Sequence, residues 1–262
     1  MLRNNYDFAV FETFEIAQSI IPIIVERKME MIYFTGDIHG TVSGIEAFCN
    51  KVHPTADDII VLLGDVGANY YKGHRDKILK EHLNDLGPTL FCIHGNHEMR
   101  PSLQLGYAET QWRGDNVWVQ PQYPKLIFAK DGEIYTLGDL RYLVIGGAYS
   151  VDKYYRLENH WGWWSDEQPS AEVKAYVEKQ IREKDFDIVL SHTCPFKYEP
   201  TEMFLGFVDQ STVDDSTERW LDTIEESIDY KAWFCGHWHT DKRIDKMHFL
   251  FNTFESDEQF KK

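Results

Sequence analysis

Residues 31–40 read MIYFTGDIHG, and the order of those ten letters sets the architecture. Positions 31–35 are a short run of β-branched, aromatic and apolar residues, the composition of a buried strand. The run breaks at Gly36 and delivers Asp37 and His39, a carboxylate and an imidazole two positions apart. Residues two apart in an extended chain point the same way, so this pair is expected to hold one metal ion from one side. The same pattern recurs along the chain. Residues 59–63 run into Gly64 and Asp65, and residues 89–93 run into His94, Gly95, Asn96 and His97. Residues 186–190 run into Ser191 and His192, and residues 232–235 run into Gly236, His237, Trp238 and His239.

Helical patterns lie between these runs. Segments 42–52 and 72–86 follow the first and second motifs, and 171–184 and 216–228 precede the fourth and fifth. Ser170 is the expected N-cap of the third helix. Strand, helix and strand in succession imply parallel β-units. Segments 133–137, 141–145 and 248–254 are read as further strands, expected to be antiparallel. An α/β chain of two mixed β-sheets packed face to face, with helices outside, accommodates all of them. Ligands of such sheets bind beyond the carboxyl ends of the strands. Five strand ends on one edge would therefore gather Asp, His and Asn side chains into one cleft.

The composition bounds the function. Hydrophobic residues at 43% and aromatics at 15% describe a folded globular chain. With 43 acidic against 27 basic residues, the net charge of −16 argues against a duplex nucleic acid partner, which binds through Lys and Arg. A small phosphoester substrate remains compatible, because bound cations reverse the local field of a cleft. Cys49, Cys92, Cys194 and Cys235 form no CxxC motif and read as the thiols of a cytoplasmic protein. Residues 16–25 are apolar but interrupted by Gln18, Ser19 and Pro22, too short a run to span a membrane. Glu12 and Glu15 stand where a signal peptide would carry positive charge. The expected division is a leader or loosely attached helical extension over 1–28 and one catalytic domain over 29–262, with no membrane association.

The candidate metal ligands are Asp37, His39, Asp65, Asn96, His192, His237 and His239. Two Asp, one Asn and four His exceed what one tetrahedral zinc needs. They match two divalent ions about 3.5–4 Å apart that share a bridging oxygen. Asp65, with two carboxylate oxygens, is the candidate bridge. Mixed oxygen and nitrogen ligation suits Mn, Fe, Zn or Ni, with manganese favoured.

Taken together, GDIHG at 36–40, GDVG at 64–67, GNHE at 95–98, SHTCP at 191–195 and GHWH at 236–239 resemble the calcineurin-like metallophosphoesterase superfamily. The resemblance implies an αββα sandwich. By motif position, Asp37, His39, Asp65 and His239 would hold one ion, and Asp65, Asn96, His192 and His237 the other. His97 would protonate the leaving oxygen or steady the phosphate, and Asp65 and His97 are the catalytic candidates. The implied reaction is in-line attack on phosphorus by a hydroxide held between the ions. No covalent phosphoenzyme is required: Ser191 lacks a nucleophile elbow, and Cys194 lacks the phosphate loop of cysteine phosphatases.

The chain departs from the serine/threonine phosphatases of this superfamily, whose second motif reads GDxVDRG and whose GNHE follows an Arg. Here Ala68 stands in place of that Asp, Asn69 in place of that Arg, and His94 in place of the second Arg. The Asp that would orient the catalytic His is absent from its usual position. Substrate-contact candidates are accordingly Asn69, Arg75, His94 and Arg100. The missing arginines favour a small-molecule or nucleotide phosphomonoester or phosphodiester. The alternatives are a protein serine/threonine phosphatase, a nuclease and a non-catalytic metal-binding interaction module. The aromatic segment with Tyr154, Tyr155, Trp161, Trp163 and Trp164 is expected to pack an insertion onto the sheet, or else to stack on a base. Residues 203–207 are expected at a cleft rim or a dimer contact.

Overall fold

The chain is described by a computed structural model covering residues 30–261, so the expected extension over 1–28 lies outside the described residues. The strands and helices follow in the order β1 (Ile32–Thr35), α1 (Ser43–Val52), β2 (Ile59–Leu62), α2 (His74–Asn84), β3 (Thr89–Cys92), β4 (Ala108–Trp112), β5 (Asp115–Val119), β6 (Leu126–Ala129), β7 (Ile134–Leu137), β8 (Leu140–Ile145), α3 (Lys153–Glu158), α4 (Ala171–Glu183), β9 (Ile188–Ser191), α5 (Ser216–Glu225), β10 (Ala232–Cys235), β11 (Lys242–Ile244), β12 (Met247–Phe249) and β13 (Glu255–Ser256). Among the described residues the strands form two mixed sheets, ordered β13-β1-β2-β3-β6-β5-β4 and β11-β12-β10-β9-β8-β7. In the first, β1, β2, β3 and β6 run parallel. In the second, β8, β9, β10 and β12 do.

Period-two burial explains the stacking. Ile32, Phe34, Ile59, Val61 and Phe91 face Tyr142, Val144, Ile188, Leu190 and Phe234 in the layer between the sheets. There the rings of Phe34 and Phe234 stack at 4.2 Å between centroids. The alternate residues Ile60, Leu62 and Leu90 face outward onto Ile45 of α1 and Leu79 and Leu83 of α2. On the far side, Val189, Trp233 and Cys235 face Val177 of α4 and Leu221 and Ile224 of α5. Strands covered on both faces must be apolar at every position, which is why they read as unbroken runs. The result is the expected αββα sandwich. Ser170 caps α4, its side chain accepting the Val173 N–H.

Two readings need correction. Segment 248–254 is not one strand: β12 stops at Phe249 and pairs parallel with β10. The Asp241 carboxylate accepts the N–H groups of Phe251, Asn252 and Thr253 and turns the chain there. The hairpin β4–β5 and the strand β6 were not anticipated. β4 reads AETQW and is mostly exposed, so it carries no apolar run to betray it. Among the described residues no helix is long and apolar enough to cross a membrane. All four cysteines are free, and three are buried.

Candidate metal centre

The carboxyl ends of β1, β2, β3, β9 and β10 meet at one edge of the sandwich. From the first sheet come Asp37 and His39, then Asp65, then Asn96 and His97. From the second come His192, His237 and His239. The local backbone is unusual. His39, Asp65, His237 and His239 all have positive φ, at 45°, 47°, 65° and 47°. Non-glycine residues seldom adopt that region, and its strain collects at functional sites. Asp37 and His39 are therefore not brought together by extended geometry, as their spacing suggested, but by a turn after β1. Two glycines keep the centre closed: a Cβ at Gly64 would overlap the His192 ring, and one at Gly95 would overlap the Asp65 carboxylate.

The donor atoms converge. Three groups, Asp37–His39–His239, His39–Asp65–His97 and Asp37–Asp65–His192, each place their ligand-type atoms within 4.8 Å of one another. Asn96 Oδ1 lies 2.8 Å from His192 Nε2 and 3.1 Å from His237 Nδ1. His39 Nε2 and His239 Nε2 are 3.0 Å apart. The two Asp carboxylates are steadied by backbone: His97 N–H donates to Asp65 Oδ1 at 2.7 Å, and His237 N–H to Asp37 Oδ2 at 2.8 Å.

Several of these contacts make sense only around cations. His192 donates Nδ1–H to the Leu63 carbonyl at 2.7 Å, which leaves Nε2 with its lone pair in the neutral ring. That lone pair faces Asn96 Oδ1. The Asn96 amide is fixed the other way round, its Nδ2 donating to Ser150 Oγ at 2.9 Å. Two acceptors thus face each other at 2.8 Å, closer than N and O rest without a proton or a cation between them. Asp37 Oδ1 is buried without a hydrogen-bond partner. A buried acceptor without a partner, and two acceptors in close contact, are costly unless positive charge sits among them. The residues present therefore fit divalent ions.

Electrostatics agree. Burial, then the Asp65 charge, pushes the Asp37 pKa well above the usual carboxylate range. For Asp65 burial acts upward too, but His192, His97 and His39 outweigh it and the net shift is down. Burial lowers His192 and His237, and it brings His239 to about 4. These rings are neutral near pH 7, ready to ligate. Histidine in the unfolded chain binds its proton near pH 6.5, before the folded rings do. As pH falls from there toward 4, the metal-free protein loses stability. Metal content measured after dialysis should hold at about pH 6 and collapse toward about pH 4, where His239 takes up a proton.

The support behind the centre is supplied by the segment after β8. Ser150 Oγ donates to Glu167 Oε2 at 2.5 Å, and Arg156, fully buried in α3, donates to Ser150 Oγ. Arg156 also pairs with Asp152 at 3.1 Å and donates to the Gly162 carbonyl at 3.0 Å. Asp152 Oδ1 lies 3.8 Å from His97 Nε2. A carboxylate beside His97 is thus present, from a segment far from the second motif, and the sequence motifs gave no sign of it. Of the aromatic residues here, Trp164 packs edge-on against Tyr70 at 5.7 Å, whereas Tyr154 and Trp161 are more than half exposed.

The substrate-contact candidates are placed less favourably. Arg100 is tied to Asp131 at 2.6 Å and donates to the Asp166 carbonyl at 2.9 Å. Arg75 lies over the Tyr71 ring at 3.4 Å. Asn69 is fully buried, its Oδ1 accepting from Tyr107 at 2.9 Å. His94 is buried and burial holds it neutral. None of the four lines the cavity at the metal centre.

The sequence model described as "Calcineurin-like phosphoesterase" matches residues 31–241. The chain belongs to the calcineurin-like phosphoesterase family. The matched span includes all seven candidate ligands and His97. Among solved structures, that of TT1561 of Thermus thermophilus shares 12% identity with this calcineurin-like chain, covering 87% of it and 98% of that chain, with a TM-score of 0.47. A second shares 11% identity over 85% of this chain and 90% of that one, with a TM-score of 0.44. No curated protein sequence matches the chain.

Proposed function

We propose that the protein hydrolyses small phosphoesters with two divalent metal ions held by Asp37, His39, Asp65, Asn96, His192, His237 and His239. The observation that carries this reading is the buried Asp37 Oδ1, which has no hydrogen-bond partner, beside Asn96 Oδ1 and His192 Nε2, two acceptors facing each other at 2.8 Å. Asp65 reaches two of the candidate ligands with its two oxygens, Oδ1 3.6 Å from His192 and Oδ2 3.9 Å from His39, and would be the carboxylate shared between the ions. The ions, when bound, supply Lewis acidity for the phosphoryl oxygens and lower the pKa of a water. His97 is only partly buried at the edge of the centre and delivers a proton to the leaving oxygen, with Asp152 setting its ring orientation. Ser150 and Glu167 keep the Asn96 oxygen turned inward.

Small substrates are favoured over phosphoproteins because neither Arg75 nor Arg100 reaches the cavity to grip a phosphate. The test is a panel run with metal-stripped protein and with added manganese, iron, zinc or nickel. It contains p-nitrophenyl phosphate, bis-p-nitrophenyl phosphate, nucleotides and a phosphopeptide. Metal-dependent release from the small esters, exceeding that from the phosphopeptide, is expected. Absence of turnover on every ester at full metal occupancy would leave a metal-binding interaction module instead.

A further inference from the structure

The cavity that opens from the metal centre has a volume of about 620 Å³, within the range that holds a whole small ligand. Its outer wall is built by the segment between β9 and α5, through Phe196, Met203, Phe204, Leu205 and Val208, together with Trp238 of the last motif. Phe204 stacks on Trp238 at 5.8 Å, which ties this wall to the residue between two candidate ligands. Lys242 pairs with Glu202 and anchors the segment to β11. The charge of the wall is one-sided. Among the described residues that line the cavity none is Lys or Arg, while Glu199, Asp215 and Glu218 are present. Glu218 is nearly fully buried, and burial pushes its pKa up to about 7, as it does for Glu199.

From this geometry we infer that the site takes a phosphoester whose organic group is apolar and uncharged, seated against Phe204, Leu205 and Trp238. The inference rests on the phosphoester reading and narrows it. A substrate's single phosphate has the metal centre to neutralise it, but a second anionic group farther along meets apolar surface and carboxylates, with Arg219 behind the wall already paired with Asp215. Nucleoside di- and triphosphates are thereby poor candidates. An alkyl or aryl group instead gains by leaving water, and each buried methylene contributes a few-fold in binding.

The experiment uses the manganese-loaded full chain and monoalkyl phosphates from ethyl to decyl, beside ADP and phosphoserine. kcat/KM should climb by about threefold per methylene until the cavity is filled, then level off. Phe204→Ala should flatten that climb, and Leu205→Ala should shorten it, with metal content unchanged in both. The second variant, at a half-exposed position, guards against misfolding of the first. Equal kcat/KM along the series, or preference for ADP or phosphoserine, overturns the inference. The matching alkylphosphonates, which cannot be hydrolysed, separate it from the phosphoester reading. Chain-length-dependent affinity without turnover of any phosphate would uphold the apolar subsite and reject hydrolysis; turnover without chain-length dependence would do the reverse.

Discussion

Asp65→Asn is expected to empty the metal centre and to lower turnover by more than about a hundredfold, since even residues that merely orient metal ligands cost roughly 10–100-fold. The substitution keeps the size of the side chain and removes one negative charge from the point where the two halves of the cluster meet. Asp65 is nearly fully buried, yet its pKa lies below the usual carboxylate range, so the side chain is a carboxylate near pH 7. An amide there offers one oxygen instead of two. Its NH2 group cannot replace the oxygen that accepts the His97 N–H, because two donors would then meet. Elemental analysis of the dialysed variant, with circular dichroism to confirm the fold, reads the result directly. Wild-type metal content together with wild-type turnover would remove Asp65 from the bridging position.

His97→Ala should give the complementary phenotype: both metal ions retained and kcat lowered about 10²–10⁴-fold, the range typical of a lost general acid. The loss should be smallest for p-nitrophenyl phosphate, whose leaving group departs without a proton, and largest for an alkyl ester. A uniform loss across leaving groups would mean that His97 steadies the phosphate rather than protonating the departing oxygen. Asp152→Ala should lie on the same axis with a weaker effect, about tenfold, because the imidazole stays and only its orientation loosens.

The sandwich and the candidate donors that converge at its edge were legible because both leave dense local signals. The strands β1, β2, β3, β9 and β10 are covered on two faces and so carry apolar runs, and each of these five runs ends in residue types that bind metals. β4 left no such signal, since four of its five residues are exposed and polar or small. The candidate substrate contacts lie outside the cavity lining for a different reason. Arg75 and Arg100 lie close in sequence to the motifs, but a long side chain is aimed by its partners. Tyr71 takes one and Asp131 the other. Arg156 and Asp152 sit in an aromatic-rich stretch that resembled an insertion packed onto the sheet. Their role follows from α3 folding back beneath Asn96 and His97, a long-range placement that no spacing encodes. The apolar wall was legible in part: residues 203–207 read as a cleft rim or a dimer contact, and the stacking of Phe204 on Trp238 ties the segment to the cavity.

The placement of four candidate ligands on the first sheet and three on the second has a mechanical consequence. Each ion, as proposed, spans the seam between the two halves of the sandwich, so that docking the halves and finishing the active centre are one event. The cations then behave as rivets. A substitution deep in the inter-sheet layer, far from any phosphate, that lets the halves slide by a fraction of an ångström would first register as a leak of metal, before the fold itself gave way.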